Sequence, residues 1–280
     1  MRFWIEADTQ ESKSECSPTT ARRALIGLLL LLSSAHALAD DLSAPTATRA
    51  GIEIGLMANS YRYEEPRLMT ISGDKLGARI SYTRVDASSG SGKLELIAAY
   101  GKLQYAGVGV INEVPDFSYD TRMLIGRDLA VAPRLTLTLS SGLGYRYLFN
   151  DLRGKSSTGA VGYRRESSYL YFPLGLSGRH TLDTSWTLDA NIEFDLLLRG
   201  HQNSKLSDTG TGLTDVRNDQ RRGQAWRASL MIGKSGVSIG PWVTYWKIPD
   251  SSLAHLANGS TVIEPKNTTT EVGLEVRVRY

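Results

Sequence analysis

Three histidines and the aspartates near them are the residues of this 280-residue sequence most suited to proton-transfer chemistry, because imidazole changes charge near neutral pH. The sequence has four histidines, of which His36 falls in the amino-terminal segment and His180, His201 and His255 fall in the rest of the chain. Asp195 lies shortly before His201, and Asp208 and Asp215 follow it in one predicted loop. A general base must reach its partner through a hydrogen bond, and no short, fixed spacing joins these aspartates to a histidine. The sequence therefore predicts solvent-exposed loop histidines, and we assign no catalytic residue, cofactor or metal ligand.

The amino-terminal segment has the pattern of a secretory signal peptide. Arg22 and Arg23 precede an apolar run from Ala24 to Leu32, and Ala37-Leu38-Ala39 supplies the small residues of a cleavage site. The apolar run falls short of the ~20 residues that a membrane helix needs. We therefore expect residues 1–39 to be removed, including the polar segment before the signal, and residues 40–280 to form one domain. The sole cysteine, Cys16, would be lost, which leaves no disulfide.

The last ten residues alternate strictly between apolar and polar side chains. The apolar set is Val272, Leu274, Val276, Val278 and Tyr280. A period of two predicts a strand, and a transmembrane β-barrel strand combines an apolar outside with a polar inside. The stretch resembles the closing strand of Gram-negative outer-membrane proteins, which end in an aromatic residue. The resemblance implies that these five residues form an assembly signal read by the barrel-assembly machinery.

Ten segments show this alternation. They lie at about residues 50–63, 74–86, 93–105, 117–130, 134–149, 168–179, 186–199, 222–233 and 237–248, with the tenth following a loop that ends near Asn267. Each is long enough for a tilted crossing of ~9–11 residues. Short connections are predicted after the even-numbered strands and long ones after the odd-numbered strands, as in outer-membrane barrels. The predicted fold is therefore all-β, a transmembrane antiparallel up-and-down β-barrel of ten strands.

Two prolines oppose this strand assignment. Pro173 and Pro241 fall inside the sixth and ninth predicted strands. A proline removes a ladder hydrogen bond, and a closed barrel has no edge strand to accommodate it. We therefore expect a bulge or a strand end at each proline. If both assignments fail, the barrel has eight strands.

The predicted inward positions carry a nearly balanced set of charges. The basic residues are Arg79, Lys93, Arg122, Arg146, Arg199, Arg227, Arg277 and Arg279, and the acidic residues are Glu53, Glu95, Asp120, Asp128, Asp189, Glu193, Asp195, Glu271 and Glu275. Ten strands enclose little more space than the eight whose interior side chains can fill. The sequence thus favours a salt-bridged lumen and a structural or surface-interacting barrel, with a narrow porin-like channel as the alternative.

A surface hydrolase is the second alternative. The runs 143–154 and 162–172 resemble those of uncharacterised proteobacterial outer-membrane barrels, which implies location and fold only. The chain resembles the omptin proteases in size and strand count but lacks their Asp-x-His spacing. It also lacks the His-x-Ser pair of outer-membrane lipid A deacylases and phospholipases. Only a hydrogen bond between His201 and a carboxylate at the loop rim would favour the hydrolase.

Arginines of the predicted external loops suggest contacts with lipid. Arg164, Arg165, Arg221 and Arg222 are expected to bind lipopolysaccharide phosphates through charge-assisted hydrogen bonds. Ordinary solubilising loop charge explains them equally well. The formal net charge of +3 is too small to indicate a nucleic-acid partner. The expected location is the outer membrane, and the oligomeric state stays open.

Overall fold

The computed structural model describes residues 48–182, 186–255 and 259–280. The predicted signal peptide and the segment before it, residues 1–39, lie outside the described residues. The predicted turn at residues 183–185 also lies outside them. Among the described residues, no helix is long and apolar enough to cross a membrane.

The described chain is built almost entirely of β-strands. They are β1 (Gly51–Glu65), β2 (Met69–Val85), β3 (Gly90–Gly107), β4 (Gly109–Ala132), β5 (Leu135–Lys155), β6 (Val161–Thr181), β7 (Trp186–Ser204), β8 (Val216–Gln220), β9 (Gln224–Lys234), β10 (Val237–Ile248), β11 (Ala254–His255), β12 (Thr261–Val262) and β13 (Asn267–Arg279). A short 3₁₀ helix, Leu206–Thr209, interrupts the connection from β7 to β8.

These strands close into an antiparallel barrel of ten strands. The ladder runs β6, β5, β4, β3, β2, β1, β13, β10, β9 and β7, and the pairing of β6 with β7 closes the ring. β8 and β9 both pair with β7 and form two parts of one barrel strand, separated at residues 221–223. β11 and β12 pair only with each other, outside the ring. The predicted fold and strand count are confirmed.

The barrel has two unlike ends. The terminal end holds residue 48, Tyr280 and the short turns, of which residues 133–134 and 235–236 are the tightest. The loop end holds the connections at residues 156–160 and 205–215, together with residues 249–255 and 259–266 of the connection between β10 and β13. β4 has 24 residues, which at about 3.3 Å per residue gives a strand of about 80 Å. A tilted crossing needs only ~9–11 residues, so the longest strands extend well past such a belt at the loop end.

The outer surface is apolar near the terminal end and polar toward the loop end. On β13 the exposed outward residues begin with Val276, Leu274 and Val272 and continue with threonines. On β1 the outward series Ile52, Ile54 and Leu56 gives way to Ser60, Arg62 and Glu64. Because side chains alternate across a strand, the same strands send polar residues inward. The exterior is therefore an apolar belt with a charged collar above it.

Several predicted connections proved to be strand instead. The long connection expected after the first strand is a turn at residues 66–68, and the one expected after the third strand is Val108 alone. The regular alternation of long and short connections was thus wrong at these two places. Polar outward residues above the belt stay in the ladder because their backbone groups pair with the neighbouring strands, while inward neighbours such as Tyr61 and Tyr63 are buried.

Both prolines lie inside continuous strands, and no strand ends at either. Pro241 pairs with Leu274, and the β9–β10 ladder resumes at unchanged register beyond it, so the bulge expected there is absent. Pro173 pairs with Asp195 while the β5 ladder skips it. The register shift of this region lies between Leu170 and Tyr171 rather than at the proline. Each proline keeps the ladder on one side, where its missing N–H is not required.

Candidate functional site

An ion-pair network fills the terminal half of the lumen. Arg79 contacts Glu95 and Glu275, each at 2.6 Å, and Arg122 bridges Glu95 to Glu193. The other members are Lys93, Arg227, Arg277, Arg279, Glu53, Asp120 and Asp195. Almost every charge meets an opposite one, which lets the groups stay buried. The salt-bridged lumen inferred from the sequence is present in this half.

One predicted inward residue is turned outward. Arg199 is exposed on the outer surface, because the register shift between β6 and β7 adds a residue to β7 before it. Arg146 does point inward and pairs with Glu271 at 2.8 Å. A bulge reverses the inside–outside parity beyond it, which a strict period of two cannot anticipate.

A cavity of about 280 Å³ lies among these charges. It extends from Thr48 and Arg49 at the terminal end to Asn59 and Ser118 near mid-barrel. Its walls carry both signs of charge, with nine basic and six acidic side chains among the lining residues. Among the described residues, no three His, Cys, Asp or Glu side chains gather as metal ligands would.

Apolar and aromatic side chains fill the loop half of the lumen. One group, the Trp246 cluster, consists of Leu148, Tyr169, Tyr171, Leu197, Ala225, Trp246 and Ile248. The other, the Tyr61 cluster, consists of Tyr61, Tyr63, Ile71, Leu103, Val114 and Leu152. Tyr171 and Trp246 meet edge to face with ring centroids 5.3 Å apart, and both are about fully buried. The two clusters lie between the cavity and the loop end.

Two buried ion pairs contact the Tyr61 cluster. Lys75 contacts Asp116, and neither side chain is exposed to solvent. The Lys75 ammonium also lies 3.9 Å from the Tyr61 ring centroid. Neither residue is among the charges predicted to point inward, since Asp116 precedes the fourth predicted strand, and nothing in the sequence identifies the two as partners.

A second buried contact ties the last loop to the barrel. Arg165 on β6 donates to Glu65 at 2.6 Å and also to Glu264, which belongs to the connection at residues 249–266. Burial raises the pKa of the Glu264 carboxyl to about 7, with Arg165 opposing and Glu65 reinforcing the rise. The segment around Glu264 is therefore attached to the barrel through a carboxyl group that titrates near neutral pH.

The four arginines expected to bind headgroups are in different environments. The Arg165 side chain is only 5% exposed and pairs with Glu65 and Glu264, so it is not available to bind a lipid headgroup. Arg164 donates twice to Asp208 at 2.8 Å, which lowers the pKa of that carboxyl to about 2 through the hydrogen bond. Arg221 and Arg222 are exposed in the break between β8 and β9.

His255 is exposed in the short strand β11, outside the ring and within the connection between β10 and β13, in agreement with the predicted loop position. His180 is also exposed but belongs to the barrel strand β6. His201 is in β7, where its Nδ1 lies 2.8 Å from an Asp219 carboxylate oxygen. Arg217 packs on the same imidazole, with Nη2 2.9 Å from Nδ1 and 2.7 Å from Nε2.

The partner of His201 is not one of the aspartates suggested by the sequence. Asp195 binds Arg227 in the lumen, Asp208 binds Arg164, and Asp215 accepts from Ser207 at 2.6 Å. The sequence does not single out Asp219, because β8 is short and its residues resemble a loop. The run Val216-Arg-Asn-Asp-Gln220 alternates in burial, but four of its five residues are polar, so the sequence shows no apolar–polar alternation there.

The five residues of the closing strand project onto the apolar belt. Leu274 is 60% exposed and Tyr280 76% exposed on the outer surface. β13 lies between β1 and β10 and pairs with both along nearly its whole length. Val272, Val276 and Val278 share its outward face. The last strand in the sequence is therefore the strand that closes the sheet onto the first.

Comparison with known proteins identifies the fold and not a family. No protein-family model matches the chain, and no curated protein is similar to it in sequence. The outer-membrane protease OmpT from Escherichia coli has a similar structure, with a TM-score of 0.57 at 10% identity, over 86% of this chain and 99% of that one. The transport unit of the autotransporter AIDA-I from Escherichia coli matches with a TM-score of 0.44 at 8% identity, over 90% of this chain and 97% of that one. The chain thus shares the fold of outer-membrane barrels.

Proposed function

We propose that this chain is an integral outer-membrane β-barrel with a closed lumen and a structural or surface-interacting role. The observation that carries the proposal is the inverted distribution of side chains around the ring. Exposed aliphatic residues such as Leu56, Leu76 and Leu274 cover the outside, whereas ion pairs lie inside. A soluble protein rarely exposes so large a continuous apolar surface, whereas a bilayer solvates it.

Location and export are tested together in the native host. We expect the chain in the outer-membrane fraction of a density gradient, with an intact mass that corresponds to residues 40–280. A folded barrel in that fraction should migrate differently in gels before and after boiling. Recovery of the processed chain from the soluble periplasmic fraction would contradict the proposed location.

The closed lumen separates this role from that of a channel. Two buried aromatic residues, Tyr171 and Trp246, stand between the cavity and the loop end. In planar bilayers the native chain should show no steady conductance, and a Tyr171→Ala/Trp246→Ala variant should conduct because the block is removed. Steady conductance of the native chain at the level of the variant would favour the porin-like alternative.

We also propose that exposed arginines contact lipopolysaccharide phosphates. Arg221 and Arg222 are unburied above the belt, and Arg164 can contribute only if it releases Asp208. An Arg221→Gln/Arg222→Gln variant should bind less lipopolysaccharide on purification. The control is Arg62→Gln, since Arg62 is equally exposed but already paired with Glu64 at 3.0 Å. Equal lipopolysaccharide binding by both variants would leave the arginines as solubilising charge.

The closing strand is proposed to engage the barrel-assembly machinery. Tyr280→Ser should slow assembly in cells, because the terminal aromatic of the apolar row is lost. Tyr82→Ser is the matched control, since Tyr82 is an outward tyrosine of β2 with 52% exposure. If both substitutions slow assembly equally, the effect belongs to the aromatic belt and not to the end of the strand.

A further inference from the structure

Three polar residues form a row on the outer surface of neighbouring strands. Ser168 of β6 pairs directly with His201 of β7, and His201 pairs directly with Asp219 of β8. Directly opposed residues of an antiparallel ladder share a face, with Cβ atoms about 4.5–5.5 Å apart. A hydroxyl, an imidazole and a carboxylate therefore stand side by side in that order.

The contact already formed within this row orients the imidazole. The Asp219 carboxylate lies 2.8 Å from His201 Nδ1 on the β8 side of the ring. When Nδ1 donates to this carboxylate rather than accepting from Arg217, which also lies 2.9 Å from Nδ1, Nε2 is left as the acceptor. Ser168 stands on β6, the strand on the other side of His201, at the close spacing of directly opposed residues. This is the order of nucleophile, base and orienting acid that acyl transfer requires.

The row lies where the outer surface changes character. Leu170, one step below Ser168 on the same face of β6, is exposed and apolar, whereas Glu166 and Arg164 follow above it. On β7 the exposed Arg199 and then Leu198 lie below His201, and Asn203 lies above it. In a bilayer this level is the boundary between hydrocarbon and headgroups. The bonds of a lipid at that boundary are its acyl esters.

Arg217 adds a preference for an anionic substrate. Its guanidinium lies 2.7 Å from His201 Nε2, so in the free protein it covers the atom that would accept a proton. The Arg217 side chain is 56% exposed, and its contact with Asp219 is loose at 3.6 Å. A phosphate binds a guanidinium through paired, charge-assisted hydrogen bonds. A phosphate-bearing lipid would draw Arg217 away from the imidazole and uncover the base.

We propose that Ser168, His201 and Asp219 form a serine hydrolase site that cleaves acyl esters of phosphate-bearing lipids at the membrane surface. The inference rests on the proposed membrane location. Ser168 Oγ attacks the ester carbonyl carbon while its proton passes to His201 Nε2. The bond from the carbonyl carbon to the alcohol oxygen breaks, and the alcohol leaves with that proton. Water then gives a proton to Nε2, attacks the acyl-serine, and releases the fatty acid as Ser168 recovers its proton. Asp219 positions the ring and does not touch the substrate.

The first experiment measures fatty acid release by the full purified chain. Two substrates are supplied separately, phosphatidylglycerol vesicles and lipopolysaccharide, so that the source of the phosphate-bearing ester is distinguished. We expect release from one of them, together with labelling of Ser168 by a fluorophosphonate probe. Ser168→Ala and His201→Ala should each reduce the rate by at least about 100-fold, the range of a general base or nucleophile. Release from neither substrate, with no labelling of a chain that is folded by gel mobility, overturns the proposal and leaves the closed barrel intact.

Matched controls separate chemistry from folding. Ser167→Ala is the control for the nucleophile, because Ser167 faces inward and bonds Gln202. Asp215→Asn is the control for Asp219→Asn, since Asp215 belongs to the connection at residues 205–215 and pairs with Lys205 at 3.3 Å. Asp219→Asn should lower kcat with KM unchanged and alter the pH profile, whereas Asp215→Asn should do neither. Arg217→Gln should lower hydrolysis of the phosphate-bearing lipid without lowering that of neutral diacylglycerol. A Ser167→Ala loss equal to that of Ser168→Ala would overturn the assignment.

Discussion

Replacement of Lys75 by Met is the sharpest test of the forces that close the loop half of the lumen. The Lys75–Asp116 pair has no exposed side-chain surface on either partner. Lys75→Met leaves the Asp116 carboxylate buried, with Asn150 as its remaining polar contact. Breaking a buried pair by removing one partner costs about 3–5 kcal/mol, or roughly two to four powers of ten in the unfolding equilibrium constant.

Urea unfolding of the refolded chain in lipid vesicles, followed by tryptophan fluorescence, measures this loss. Lys102→Met is the matched control, because Lys102 pairs with Glu113 at 3.1 Å with both side chains more than half exposed. Water screens that pair, so its removal should barely change the midpoint. A Lys75→Met/Asp116→Leu variant should recover most of the loss, since no charge then remains buried beside the Tyr61 cluster. If Lys75→Met matches Lys102→Met, or if the double variant is no better than the single one, the reasoning is refuted.

Three further outcomes are expected. Gly144→Ala should destabilise the barrel by about 1–3 kcal/mol in the same assay, because its Cβ would lie 2.1 Å from the buried Tyr171 ring, whereas Gly92→Ala meets nothing within 4 Å. The segment at residues 249–266 should resist proteases better at pH 5 than at pH 8. The Glu264 carboxyl has a pKa of about 7 in the folded chain but 4.5 when the segment is released, so protonation between these values favours the folded segment. Glu264→Gln should abolish the difference between the two pH values. Arg164→Gln should expose residues 205–215 to cleavage, and the increase over the native chain should be the same from pH 4 to pH 8. In the native chain the Asp208 carboxyl, with its pKa of about 2, stays charged over that range, so its contact with Arg164 is lost only at lower pH. Protease protection of residues 249–266 that rises with pH would contradict the second expectation. Unaltered cleavage of residues 205–215 in Arg164→Gln would contradict the third.

The barrel strands could be predicted because apolar and polar residues alternate within each of them. Segments such as 186–199 and 237–248 have an apolar outer face and a polar inner face, which appears in the sequence as a period of two. Strand extents above the belt were not predictable in the same way. There the outward residues of β1 are Ser60, Arg62 and Glu64, and this polarity resembles that of a loop. Hydrogen bonds to the neighbouring strands keep these residues in the ladder, and the sequence does not show those bonds.

The candidate site depended on contacts between distant residues. The sequence indicates the imidazole of His201 as a potential base, but the aspartates it suggests as partners are Asp195, Asp208 and Asp215. The register of β7 with β8 brings Asp219 to it, and the register of β6 with β7 brings Ser168. A register is fixed by the whole ladder and by its bulges, so no spacing within one segment reveals which residues become neighbours.

The sequence by itself determined a closed, ten-stranded antiparallel barrel with an apolar outside and paired charges within, because each strand must satisfy the same two environments along its own length. Only the tertiary structure decided that aromatic clusters fill the loop half of the lumen, that Arg165 is locked between Glu65 and Glu264, and that a serine, a histidine and an aspartate meet on the outer surface. Those features arise from ring closure and strand register, which join residues that are far apart in the chain.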